Sequence, residues 1–169
     1  GGAQSEALRS LPFTTRADLG KSYPYDMFAV PLSDVVRIHA EPGAGVTPIV
    51  MGYTRNDLRH WTDCSARLLS AAGVGAGDAV QIALPYNLSA NAFGFHQGAE
   101  HLGASVIPAS AAPSAEKQVI VMRDFKVTAL IATPSHTQRL LAMIEEMQVH
   151  PERLRLRIVI LGGEPWRPA

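Results

Sequence analysis

The sequence predicts an α/β protein with an open, mainly parallel sheet and crossover helices. Short apolar stretches recur without strict alternation, the pattern of strands buried on both faces. Helical stretches of about a dozen residues separate them, as crossover connections require. Seven or eight elements in 169 residues are too few for an eightfold barrel.

Residues 1–33 read as an irregular lead-in, punctuated by Pro12, Pro24 and Pro31, with one short helix expected over Thr15 to Lys21. Gly1 and Gly2 are left out of the fold reading. From 34 to 169 the pattern is regular and reads as a partial α/β subdomain. Val35 to His39 and Ile49 to Tyr53 are extended, on either side of a glycine-proline loop from Glu41 to Pro48. Thr54 has the chemistry of an N-cap, with Asp57 three residues on, and a helix follows to about Gly73. Strands are expected over Ala79–Leu84, Ser105–Ile107, Thr128–Ala132 and Leu156–Leu161. Helices are expected over Ala90–Leu102, Ser114–Asp124, and from a Ser135 cap to Met147.

Composition excludes several classes. Fifteen basic residues balance fifteen acidic ones, whereas nucleic-acid binding needs a basic excess, so no nucleic-acid partner is expected. A lone Cys64 excludes a disulfide framework and a cysteine-built zinc site. No apolar run nears the roughly 20 residues of a membrane span, and no stretch reads as a signal peptide. The expectation is a cytoplasmic domain with no membrane partner.

Three glycine-bearing loops are candidate phosphate cradles. Gly73-Val74-Gly75-Ala76-Gly77 lies between a helix and a strand, the reverse of the order that puts phosphate on a helix N-terminus. It reads better as a helix stop. Glu41 to Pro48 has Thr47 as its one hydroxyl and no lysine, so a plain solvent loop competes with a triphosphate loop. Gly162-Gly163-Glu164-Pro165-Trp166 follows a buried strand at its carboxyl end, where open α/β sheets bind ligands. His96 and Glu100 share a helix face, with His101 adjoining, as a metal pair or a polar edge. Trp61, Phe93 and Phe95 offer a pocket floor or ordinary core. Arg153, Arg155 and Arg157 read as a solvated edge.

Taken in order, several segments resemble the phenylacetate–coenzyme A ligase family. They include Leu11-Pro12-Phe13-Thr14-Thr15-Arg16, Val36-Arg37-Ile38-His39-Ala40, Gly94-Phe95-His96 and Leu102-Gly103-Ala104. Pro108-Ala109-Ser110, Arg123-Asp124-Phe125, Thr133-Pro134-Ser135 and Gly162-Gly163-Glu164-Pro165-Trp166 continue the series. The resemblance covers nearly the whole chain. It implies part of the large domain of an adenylate-forming enzyme. Such enzymes use ATP and magnesium to activate an aryl acid and then pass the acyl group to coenzyme A. It implies acyl contacts at Tyr86, Phe95 and His96, and a nucleotide side at Gly162, Gly163, Glu164 and Pro165.

Two departures stand out. The resemblance aligns the family's Ser-Ser-Gly-Thr-Thr-Gly-Lys-Pro phosphate loop with Glu41, Pro42, Gly43, Ala44, Gly45, Val46, Thr47 and Pro48. Thr47 stands at the lysine and Glu41 adds a negative charge, so poor ATP binding is expected. Around the acyl pocket, Leu84-Pro85-Tyr86-Asn87-Leu88-Ser89 stands for the family's Tyr-Gly-Tyr-Gly-Leu-Phe and keeps Tyr86, while Gln97, Ala111 and Ala112 replace family residues. The chain also lacks the family's later motifs. It is therefore expected to be inactive by itself, with no cofactor or metal of its own and no catalytic residue. A small aryl acid is one expected partner, and self-association or pairing with missing segments of a parent another. The alternative is a degenerate, non-catalytic homologue acting as a binding or assembly module.

Overall fold

The computed structural model describes residues 9–42, 47–110 and 114–166. The chain divides into two units, residues 1–54 and 55–169. In the first, helix α1 (Arg16–Lys21) starts from a reciprocal capping box. The Asp18 amide donates to Thr15 Oγ1, and the Thr15 amide to the Asp18 carboxylate. Strands β1 (Val35–Glu41) and β2 (Ile49–Thr54) pair antiparallel, with His39 opposite Met51 and Glu41 opposite Ile49. Among the described residues these strands pair with each other alone, so the hairpin stands with the lead-in residues. Gly52 leaves room there for a neighbouring ring. A Cβ at this position would lie 2.5 Å from the Phe28 ring.

The second unit opens with helix α2 (Arg55–Ala71), then β3 (Ala79–Ile82), α3 (Asn91–His101) and β4 (Ser105–Ile107). Helix α4 (Ala115–Asp124), β5 (Ala129–Ala132), α5 (Pro134–Glu146) and β6 (Ile158–Leu161) complete it. The sheet order is β4-β3-β5-β6, every pair parallel. Two apolar cores cover its faces. Leu69, Val80, Ile82, Ala92, Ala99 and Ile131 meet on one, Val119, Met122, Leu130 and Leu140 on the other. The chain steps from β3 out to β4 and then back across β3 to β5, which makes a topological switch point. Strand β3 stops at Ile82, short of the expected Leu84, and leaves Leu84 to the loop beyond.

Two local expectations are refined. The N-cap of α5 is Thr133, whose Oγ1 accepts from the His136 amide, and not Ser135. Pro134 has no N–H and a preset φ, so it takes the first helical position. Gly73-Val74 does end α2. Gly73 has φ +91°, its amide donates to the Ser70 carbonyl, and the Val74 amide donates to that of Leu69 at 3.0 Å.

Helices α2 and α3 meet along a seam of small residues. A Cβ on Gly98 would lie 2.8 Å from the Ala66 backbone, and one on Gly94 2.5 Å from the Trp61 indole. Backbone has no rotamer with which to give way. Gly98→Ala therefore forces the helices apart and lowers unfolding free energy by about 2 kcal/mol, measured by urea denaturation.

At the amino ends of the strands lies Asp78, 6% exposed. Its carboxylate accepts from Thr128 Oγ1 at 2.6 Å, the Gly75 amide at 2.9 Å and Arg157 Nη2 at 2.7 Å. Arg157 is thus a tie across the sheet, not the expected solvated edge. Burial pushes the Asp78 carboxyl up in pKa. The bonds from Thr128, Gly75 and Arg157 outweigh it, and the net direction is down from 3.8. A depressed carboxyl adds stability above its unfolded value and loses it as pH falls through the folded one. Asp78→Asn costs about 2 kcal/mol at pH 7, discounted for the half-exposed Arg157. Denaturation curves of the two proteins converge as pH drops below 3.8.

Candidate functional site

The carboxyl ends of β3, β5 and β6 form one side of a crevice of about 350 Å³. Leu84 follows β3, Ile131 and Ala132 close β5, and Ile160, Leu161, Gly162 and Gly163 leave β6. Helix α3 supplies the opposite wall through Asn91 and Phe95, four residues apart and so on one helix face. The two glycines present backbone without side chain, and Gly163 has φ +82°, a left-handed conformation that other residues resist. None of the lining residues carries a titratable side chain. The crevice accordingly suits apolar or flat, uncharged matter and offers no general acid or base.

Of the residues singled out from the sequence, Phe95, Gly162 and Gly163 converge on this crevice. Tyr86 and His96 are not among its lining residues and pair with each other instead. Glu100 accepts from His96 Nε2 at 3.1 Å, which leaves Nδ1 to accept the Tyr86 hydroxyl, also at 3.1 Å. The Tyr86 ring also meets Phe93 edge to face at 5.4 Å. Burial, with the Glu100 charge, pushes the Tyr86 phenol up to about 12, so it stays a donor at neutral pH. His96 and Glu100 act as a polar tie. No group of three metal-ligating side chains exists among the described residues.

Glu164 turns away from the crevice toward α5. Its carboxylate accepts from the Ser135 amide at 3.0 Å and the Ser135 hydroxyl at 2.7 Å, at a helix N-terminus that favours negative charge. Those two bonds and that from Thr133, with the Arg139 charge, hold its pKa below the usual 4.5. Pro165 is exposed beyond it. In the first unit, Arg16 donates to the Pro42 carbonyl at the end of β1, and Thr47 precedes β2. Gly43, Ala44, Gly45 and Val46 lie outside the described residues, as do Ala111 and Ala112.

Periodicity had no means of finding one cluster. Gln81, Gln118 and His136 are buried between β3, α4 and α5. His136 Nε2 lies 3.1 Å from Gln118 Oε1, and Gln118 Nε2 donates to the Ser110 carbonyl. Burial and the Arg139 charge lower the His136 pKa, so it sits neutral. The one signal in the sequence is a glutamine inside the apolar run Ala79 to Leu84.

An apolar crevice over the carboxyl ends of a parallel sheet, walled by glycine backbone and an aromatic helix face, lies where open α/β folds bind ligands. Structural comparison finds the same fold in coenzyme A ligases. The chain is similar in structure to 2-hydroxyisobutyryl-CoA ligase in complex with 2-HIB-AMP and CoA, with a TM-score of 0.84. Identity is 28%, over 91% of this chain and 34% of that one. By sequence the chain is homologous to phenylacetate–coenzyme A ligases across nearly its whole length. It is 45% identical to that of Pseudomonas putida over 95% of this chain, and 42% identical to that of Escherichia coli K12 over 96%. The chain spans 36% and 37% of those two relatives. No family model matches it. No described helix is long and apolar enough to cross a membrane.

The Glu164 tie fixes the glycine loop to α5. Glu164→Ala frees the Ser135 amide, and hydrogen exchange of that amide accelerates toward the rate of an open helix terminus. In the natural chain the same loss appears on acidification below 4.5, as the depressed carboxyl takes up its proton.

Proposed function

We propose that residues 34–169 contribute to the large domain of an acid–thiol ligase resembling phenylacetate–CoA ligase. The parent reaction joins an aryl acid to AMP from ATP and then transfers the acyl group to coenzyme A. The chain's part is the crevice, with Phe95 against the acyl group and the Gly162–Gly163 backbone against the flat base. Tyr86 and His96 act through each other on the wall loop. Glu164 positions that loop from α5. The observation that carries this is the convergence of Phe95 with Gly162 and Gly163 at the switch point of a sheet homologous to these ligases.

The residues fit the groups of that reaction unequally. The crevice suits an aryl ring and an adenine. The stretch aligned with the phosphate loop does not suit a triphosphate, since Glu41 and Thr47 stand where hydroxyl and lysine are expected. Magnesium finds no acidic cluster among the described residues. No step through either group is assigned to this chain. The missing lysine favours one second reading, a non-catalytic homologue retained for binding or assembly. ATP–pyrophosphate exchange with a panel of aryl acids separates the two. Exchange by a protein carrying this chain disposes of the second reading; acid binding without exchange supports it.

Titration of the chain with phenylacetate, followed by amide chemical shifts, tests the crevice directly. Shifts concentrate at Phe95, Ile131 and Gly163. A response confined to other residues, or none, overturns the assignment. In the same chain Thr47→Lys strengthens ATP binding by roughly tenfold through one charge-assisted bond to phosphate, read by calorimetry.

A further inference from the structure

Asn91 and Phe95 line two cavities, not one. Beyond the crevice they also border a hollow of about 260 Å³ between α2 and α3, shared with Trp61, Cys64, Ser65 and Leu68. The α2 residues fall at spacings of three and four and so share one helix face. Gly94 forms the floor, where the absence of a side chain leaves space that the Trp61 indole partly fills. No charged side chain lines either cavity. Whatever enters must bring its uncharged, apolar end first and leave a carboxylate at the mouth.

We propose that Phe95 is the partition between the acyl crevice and a second apolar subsite between α2 and α3. Phe95 then determines specificity by setting how long an arylalkanoic acid the crevice accepts. Short acids such as phenylacetate end at the Phe95 ring. With that ring reduced, the far end of a longer acid passes into the hollow beside Cys64. The inference rests on reading the crevice as the acyl site. It commits the hollow to one occupant, the distal ring of the same acid, because the two cavities share the walls Asn91 and Phe95.

Cys64 is the chain's single cysteine, is exposed, and lines the hollow, so its reaction with a chromogenic disulfide reports occupancy there. The experiment compares the natural chain with Phe95→Ala, Phe95→Leu and Asn91→Ala, using phenylacetate and biphenyl-4-ylacetate. Calorimetry gives affinity, and Cys64 kinetics gives location. Phe95→Leu keeps an apolar contact with the core and serves should the alanine chain not fold. In the natural chain neither acid changes the Cys64 rate. In the Phe95 variants biphenyl-4-ylacetate binds about tenfold more tightly than to the natural chain and slows Cys64 several-fold. Phenylacetate does not slow it. Cys64 protection in the natural chain shows that Phe95 is no partition. Phenylacetate binding to the natural chain with no protection in any Phe95 variant also overturns the proposal while leaving the crevice as the acyl site. No binding of either acid to any of the four chains overturns the acyl reading itself, and the partition with it.

Discussion

The sheet depends on one buried carboxylate. Asp78 sits where the Gly75 turn, β3, β5 through Thr128, and the start of β6 through Arg157 come within reach of two oxygens. Thr128 passes the tie on, since its Oγ1 also accepts from the Ala79 amide at 3.1 Å. Parallel strands lack a hairpin to set their register, and a slip of one residue would exchange the two faces of the sheet. Here that exchange would turn Val80 and Ile82 from one core into the other. With Asp78 ionised and satisfied, only one register leaves no buried charge unpaired. The crevice at the opposite ends of the strands inherits that alignment, because Leu84, Ala132 and Gly162 are level only if the amino ends are.

The helices meet the sheet under a different constraint. On one face α2 and α3 approach until backbone touches Ser65 and Ala66, which Gly98 permits, while Gly94 makes room for the Trp61 indole. That approach sets where the Phe95 ring stands and leaves the hollow beside Trp61. On the other face Gln81, Gln118 and His136 place a polar strip within an otherwise apolar core. Gln81 Oε1 and His136 Nδ1 have no hydrogen-bond partner there. Burying such atoms is costly. The strip adjoins Ser135, which holds Glu164, so the least comfortable part of the core supports the loop that walls the crevice.

Much of this was legible from residue order. The four parallel strands, their crossover helices, the Gly73 stop and the Thr15 start each rest on local chemistry, which a linear pattern records. The family resemblance drew on motif order and is matched by homologues of 41–45% identity. Site residues were legible by neighbourhood but not by contact. Tyr86, Phe95 and His96 are grouped by the family resemblance, which reads motifs along the chain and not contacts. Helical rotation separates them, turning Phe95 to the crevice and His96, one residue on, to Tyr86 and Glu100. Glu164 was grouped with its glycines for the same reason, yet its carboxylate found stronger partners on α5.

Alone, the sequence determined the fold class, the places where helices begin and end, and the kinship with phenylacetate–CoA ligases. Those depend on interactions among residues a few positions apart, or on identity itself. Tertiary structure alone decided that Arg157 pairs with Asp78 across 79 positions and that Ser135 receives Glu164 across 29. It also decided that Phe95 borders two cavities. The physical reason is common to all three. Each is a contact between segments whose separation in sequence carries no periodic signal, and only the packing of helices on a registered sheet brings them within bonding distance.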